Sequence, residues 1–461
     1  MSDYGQKLNS LGLEIPSILL PKPLAAEKWP VIACDQFTQD RSYWEKAKTI
    51  VDGSPSALNL IFPEIFLSDR DAPRRIADIH STMTRYLQDD VFLPPMRGFI
   101  YIERDTPYYK KRRGLAAAID LEMYDWLPDA RPLIRSTEGT VPERLPPRMD
   151  IRRAAPLELP HVLLLIDDDK DVILPSIGGY VKNTAPCYST PLMMDSGSVT
   201  GWFLDPSIHE EAFSLLTERL GDLYSRSKSR YGSASDAAEG GTPFLFAAGD
   251  GNHSLAAAKG IWEEFKAKNL NQRFREQESR EQGGCLSHPC RYALVEIENI
   301  YDPAIQFEPI HRIVFDIGFD QTLSLLSKLP DYSLRCADGA QELADNVRAC
   351  ASANCFGVIS GGRYALIETS ASGIATACLQ PLLDEYAGDN PELIDYIHDD
   401  KELFRLAAGE KGRIVTGILL PPVRKSGLFE TVARSGPLPR KSFSMGHSSE
   451  KRFYLECRRL F

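Results

Sequence analysis

The 461-residue sequence contains no apolar run that approaches the ~20 residues a membrane-spanning helix needs, so no spanning helix and no membrane partner are expected. It has no charged head followed by an unbroken apolar stretch at its start, because Glu14 and Pro16 split the one candidate, and a secretory leader is not expected. Basic charge is short: 53 Lys and Arg against 64 Asp and Glu leave a net charge of -11. That is the wrong sign for affinity built on nucleic-acid phosphates, which disfavours a nucleic-acid partner or a DNA-binding clamp. The nine cysteines lack a disulfide-like framework, as suits a reducing compartment, and a cytoplasmic location is expected. Cys285 and Cys290 enclose His288 in "CLSHPC" without a second ligand pair, which reads as a loop rather than a zinc knuckle. No internal period points to a solenoid.

What is present is ordinary for a folded chain: 43% hydrophobic, 9% aromatic and 25% charged residues. The length implies more than one subdomain. Apolar residues at Ile76, Ile79 and Met83 recur at helical spacing after Ala72, while "FIYIER" (99–104) and "AAAIDLEMY" (116–124) alternate like strands. The basic stretch "YKKRRG" (109–114) reads as a solvated turn before the second of these. Between Trp126 and Pro160 lies a long polar connection containing Arg135, Arg144, Arg148, Arg152 and Arg153. "HVLLLIDDDKDVIL" (161–174) has the look of a hairpin with an acidic turn, and Asp205-Pro206 precedes a helix carrying Ala212, Leu215, Leu216 and Leu220 on one face. Two low-complexity stretches, "SKSRYGSASDAAEGGTP" and "NQRFREQESREQGG", read as surface loops or a lid. Further strands are expected in "YALVEIENI", "FEPIHRIVFD" and "GRIVTGILLP", with a hairpin around Gly361-Gly362. The pattern as a whole is α+β, mixed sheets with peripheral helices.

"FLFAAGDGNHSLAAAK" (244–259) is the most informative stretch. A strand-like run empties into Gly249, Asp250 and Gly251, and a helix is expected from near Asn252 or Ser254. Glycines let a ligand approach the backbone, and a helix N-terminus presents unpaired N–H groups and partial positive charge, which together favour an anion. Asp250 is then a candidate metal ligand or general base, and His253 a donor to a phosphate oxygen or a proton shuttle. The same residue types also serve any capped strand-to-helix turn, so a plain cap remains the alternative.

"DGNHSLAAA" resembles the "DGHHR" motif of domain-of-unknown-function family 1015, related to the archaeal free serine kinase, of the ParB/sulfiredoxin-like superfamily. Further blocks follow in the family's order. "WPVIACDQF" and "SPSALNLIFPEI" resemble its N-terminal pattern and place Asp35, Pro55, Asn59, Pro63 and Glu64 on it. "STEGT", Arg148 and "LPHVLLLIDDD" resemble its "HE-x-T", arginine and strand-Asp sequence, placing Glu138, Thr140, Arg148 and Asp167. "FEPIHRIV" is similar to "LPTHRLL", giving His311 and Arg312, and "GPLPRKSFSM" to "MPQKST", giving Pro439, Lys441 and Ser442. The chain departs from the motif at Asn252, where the family has histidine, and at Ser254, where it has arginine.

The resemblance implies a ParB/sulfiredoxin-like nucleotide-binding core at 131–315, between an N-terminal α+β subdomain (1–130) and a C-terminal one (316–461) that completes the site. It implies a small-molecule kinase transferring phosphate from ATP or ADP, with Mg2+, to a hydroxyl substrate such as free L-serine. Gly249, Asp250, Gly251, Asn252, His253, Ser254, Arg148, His311, Arg312, Lys441 and Ser442 would hold the nucleotide, Asp250 the metal, and Asp35, Glu64 or Glu138 would be the base. The alternative is a non-catalytic nucleotide-binding regulatory protein. A nucleotide and a small molecule are the expected partners, and a homodimer is left open.

Overall fold

In the computed structural model, which describes residues 3–22, 28–231, 243–275, 288–350, 354–371, 373–408 and 413–461, the strand Arg112–Asp120 is apolar on both faces from Leu115 to Ile119. A strand of that kind must be covered on both sides. It lies near the middle of a ten-stranded mixed sheet. From one edge the order is Tyr188–Pro191, Ser198–Leu204, Phe99–Asp105, Arg112–Asp120, Tyr292–Asn299, Leu163–Ile166, Phe246–Asp250, Ile134–Ser136 and Tyr124–Asp125. The short strand Leu13–Glu14 pairs with Arg112–Asp120 beside this path. Leu163–Ile166 runs parallel to Tyr292–Asn299 and antiparallel to Phe246–Asp250, and the latter runs parallel to Ile134–Ser136.

The chain forms two units, Met1–Ile305 with His447–Phe461, and Gln306–Gly446. The expected boundaries at 130 and 315 are not where the structure divides, because strands from both sides of residue 130 pair within the one large sheet. The segment after Gly446 returns to the first unit. Phe453–Tyr454 pairs with Val31–Ile32, and Arg458–Arg459 pairs with Leu157–Glu158. Buried charge fastens it further. Arg104 donates to the carbonyls of Ser449 at 2.7 Å and Glu450 at 2.8 Å, and Arg112 donates to the same Glu450 carbonyl at 2.8 Å. Arg452 bridges Glu296 at 2.8 Å and Glu456 at 2.5 Å. The second unit is built on an antiparallel six-stranded sheet in the order Ser333–Ala337, Arg363–Thr369, Asn354–Ser360, Val415–Leu419, His311–Phe315, Ile394–Ile397. Among the described residues no helix is long and apolar enough to cross a membrane.

Three local readings change. "HVLLLIDDDKDVIL" is a strand followed by the helix Ile173–Val181, because Asp168 Oδ2 takes the N–H groups of Val172 and Ile173 at 2.8 Å and starts a helix where a hairpin turn was expected. The connection after Trp126 contains the strand Ile134–Ser136 and the helix Leu145–Arg152, with Pro at its first positions. In "YKKRRG" the turn stops at Lys111, and the arginines enter the strand with partners of their own: Arg113 pairs with Asp302 and Asp171. The low-complexity stretches fall mostly at 232–242 and 276–287 and, with Cys285, lie outside the described residues.

Candidate functional site

The glycine-rich turn sits where three strand ends converge. Phe246, Ala247 and Ala248 are buried in the sheet, and the strand ends at Asp250. Gly251 then takes φ +78, and a Cβ there would lie 3.0 Å from Val162 Cγ2 and 3.1 Å from its Cα, so both conformation and space call for glycine. Gly249 is not in the left-handed region, so backbone freedom is required only at Gly251. The helix Asn252–Arg275 begins at once, with Leu255 to Ala258 all buried. A helix start buried all round needs small side chains, which accounts for the alanines. Beside it, Ala248 aligns with Ser136 on the parallel neighbour strand, and Thr137 Oγ1 donates to Ala248 O at 2.6 Å, so Glu138 leaves the sheet at the same edge. On the other side Leu163 faces Asp250, which brings His161 and Val162 to that edge.

Two ion pairs flank the turn. Lys451, 6% exposed, places Nζ 3.2 Å from Asp250 Oδ2, and Asp250 Oδ1 accepts the Gly251 N–H at 3.1 Å. Arg148 pairs with Glu64 and donates to Arg144 O at 2.7 Å. Burial pushes the Glu64 carboxyl above its ordinary value against the pull of Arg148, and nearby Asp35 adds to the rise. The Glu64 N–H donates to Cys34 O at 2.8 Å, which ties Glu64 to the Asp35 segment, and Asp35 Oδ1 accepts from Gln36 Nε2 at 3.0 Å. Burial, then Asp35 and Glu64, push the Cys34 thiol up, so it is no nucleophile at neutral pH.

A line of hydrogen bonds joins these segments. Ser254 Oγ lies 2.9 Å from His161 Nε2, His161 Nδ1 lies 2.9 Å from the Tyr454 hydroxyl, and the Cys34 N–H donates to that hydroxyl at 3.2 Å. His253 Nε2 accepts the Val141 N–H at 3.1 Å, which leaves the ring's donor role to Nδ1. Thr140 Oγ1, Arg148 Nε and Asn252 Oδ1 are shut off from solvent without a hydrogen-bond partner.

Among the described residues no group of three His, Cys, Asp or Glu side chains could cage a metal. Asp250 would fit Mg2+ as a lone carboxylate completed by phosphate oxygens and water, the usual way this ion is held. His311 and Arg312 have structural roles within the second unit. His311 is 1% exposed, accepts the Leu420 N–H at 3.0 Å and contacts Asp400 at 2.8 Å. Arg312 is fully buried, donates to Gln380 at 2.9 Å and lies over the Tyr396 ring. Ser442, also in that unit, is buried and donates to Pro439 O at 2.6 Å, and Lys441 adopts φ +58. Cavities of about 420 Å³ near Arg424 and about 530 Å³ near Lys111 are lined by none of the residues around Gly251. His161, Lys451 and Tyr454 have no motif in the sequence. The one hint is the mixture of charge and aromatics in "EKRFYLE", whose placement only the fold reveals.

A family model described as Protein of unknown function (DUF1015) matches residues 19–386. A comparison with curated proteins gives no match. Among solved structures the chain is similar to a free serine kinase in complex with AMP, at 11% identity and TM-score 0.36, over 77% of this chain and 95% of that one. It is also similar to a conserved hypothetical protein from Pyrococcus furiosus, at 12% identity and TM-score 0.33, over 73% and 93%. A third is SbnI with C-terminal truncation from Staphylococcus aureus, at 10% identity and TM-score 0.33, over 72% and 82%.

Proposed function

The chain belongs to the DUF1015 family of unknown function, and from that premise we propose that it is a nucleotide-dependent small-molecule kinase whose site is the turn Gly249–Ser254. The observation that carries this reading is a glycine turn at one helix N-terminus with the Lys451–Asp250 ion pair against it, beside the hydrogen-bonded line that runs through His161 and Tyr454 to the Asp35–Glu64 segment. Phosphoryl transfer needs little else from a protein: charge to neutralise the phosphates, a carboxylate near the acceptor, and positioning. The phosphates of ATP or ADP would lie against the N–H groups of Asn252 to Ser254. Mg2+, held by Asp250 together with the phosphates, would neutralise the oxygens around the transferred phosphorus. The acceptor hydroxyl, as on free L-serine, gives its proton to Asp35, Glu64 or Glu138. Its oxygen bonds to the terminal phosphorus while the bond from that phosphorus to the bridging oxygen breaks, and the shortened nucleotide leaves with that oxygen.

Incubation of purified protein with Mg2+, ATP or ADP, and a panel of hydroxy amino acids tests this. Nucleotide consumption with a phosphorylated product is expected. No consumption and no thermal shift with any nucleotide would overturn it. The pairing of Asp250 with Lys451 favours a second reading, a nucleotide-responsive protein without turnover. In that case nucleotide raises the melting temperature, Asp250→Ala abolishes the rise, and no product forms.

A further inference from the structure

We propose that the segment Glu450–Tyr454 supplies the anion-holding power that the glycine-rich turn itself lacks. Lys451 binds a phosphate oxygen through its ammonium, and Tyr454, acting through His161, sets Ser254 to donate its hydroxyl to the same group. This rests on the reading of the turn as a phosphate site and names residues that complete it.

The turn carries no cation of its own: Asn252 and Ser254 are neutral, and Arg148 is occupied by Glu64. Lys451 brings one. Its ammonium has three donors, and among the described residues it meets a single acceptor side chain, Asp250, at 3.2 Å. Between that nearly buried ammonium and the positive end of the 24-residue helix stands the Asp250 carboxylate alone, and a phosphate there takes up the Lys451 donors that Asp250 leaves over.

The Tyr454 oxygen accepts the Cys34 N–H, and in the proposed arrangement its phenol hydrogen goes to His161 Nδ1. Burial keeps that phenol protonated. With Nδ1 accepting, the hydrogen of the neutral imidazole is on Nε2 and is donated to Ser254 Oγ. The hydrogen of Ser254 is thereby released from the pair and directed to an outside acceptor. Ser254 and Lys451 bind, while His161 and Tyr454 are positioning residues. The ligand class is a phosphate or diphosphate group carrying at least one free oxygen.

Calorimetry on the full chain, with Mg-ADP and with inorganic pyrophosphate as probes, tests the assignment. Charge-assisted hydrogen bonds set the scale. Lys451→Ala should weaken both probes by roughly a hundredfold, and Ser254→Ala by about tenfold. Lys451→Arg and Ser254→Thr, which keep the charge and the hydroxyl, should restore most of the affinity. Ring nitrogen shifts of His161 should report hydrogen on Nε2, and Tyr454→Phe should redistribute it toward Nδ1. Wild-type affinity in Ser254→Ala and Lys451→Ala overturns the proposal, as does a His161 hydrogen resting on Nδ1 in the wild type. Should Lys451→Ala fail to fold, Ser254→Ala and the tautomer still decide. If the wild type binds neither probe, the phosphate-site reading itself fails. If the wild type binds and the variants bind alike, that reading survives without this one.

Discussion

Gly251 has two separate constraints, a left-handed backbone at φ +78 and the closeness of Val162. Gly251→Ala should therefore lower stability by about 1–3 kcal/mol, visible as an earlier denaturant midpoint, and weaken nucleotide binding by displacing the first N–H groups of the helix. Removing Arg148 acts differently, because Glu64 would stay buried without its cation. Arg148→Ala should cost about 3–5 kcal/mol by the same assay, and Glu64→Gln in the same chain should recover part of the loss. At this scale the sequence was half legible. Asp250, Gly251 and the helix start follow from local turn chemistry, which acts over a few residues. His161 and Tyr454 reach the turn only through pairings 93 and 293 residues apart, and no local rule encodes those.

The elements around the site depend on small residues where charge must be housed. Gly114, in the strand Arg112–Asp120, faces the Glu296 side chain: a Cβ there would lie 2.0 Å from Oε1, and Glu296 is the partner of Arg452. Gly114→Ala should destabilise the protein by about 3 kcal/mol, measured by thermal unfolding, because either the carboxylate or the strand must move. Strands were easier to foresee than their ends. "FIYIER", "YALVEIENI" and "GRIVTGILLP" announce themselves by apolar content, whereas "DDDK" after a strand reads equally as hairpin tip or helix cap. Asp168 settles it through two backbone N–H groups that only the helix places together.

Across the whole first unit, buried charge makes stability depend on pH. Burial, helped by Glu296 and Asp302 and opposed by Arg112 and Arg104, pushes Glu298 up to about 8 from its ordinary 4.5. The folded state then holds this proton more tightly than the unfolded one. The stability it brings is whole below about pH 4.5 and is lost as pH rises to 8. Between pH 5 and 8 the unfolding free energy of the wild type should fall more steeply than that of Glu298→Gln, the difference approaching about 1.4 kcal/mol per pH unit in mid-window. The division into units escaped the sequence reading because the segment after Gly446 belongs with strands laid down hundreds of residues earlier. Its closing contacts, Arg104 to Glu450 among them, join residues 346 apart. A nascent chain emerging from the ribosome must therefore hold its first unit unfinished, with Glu296 and Asp250 still lacking their cations, while all of Gln306–Gly446 is synthesised. At elongation rates of about 5–20 residues per second that wait is on the order of ten seconds, and a chaperone that shields unpaired sheet edges would act most usefully in that interval.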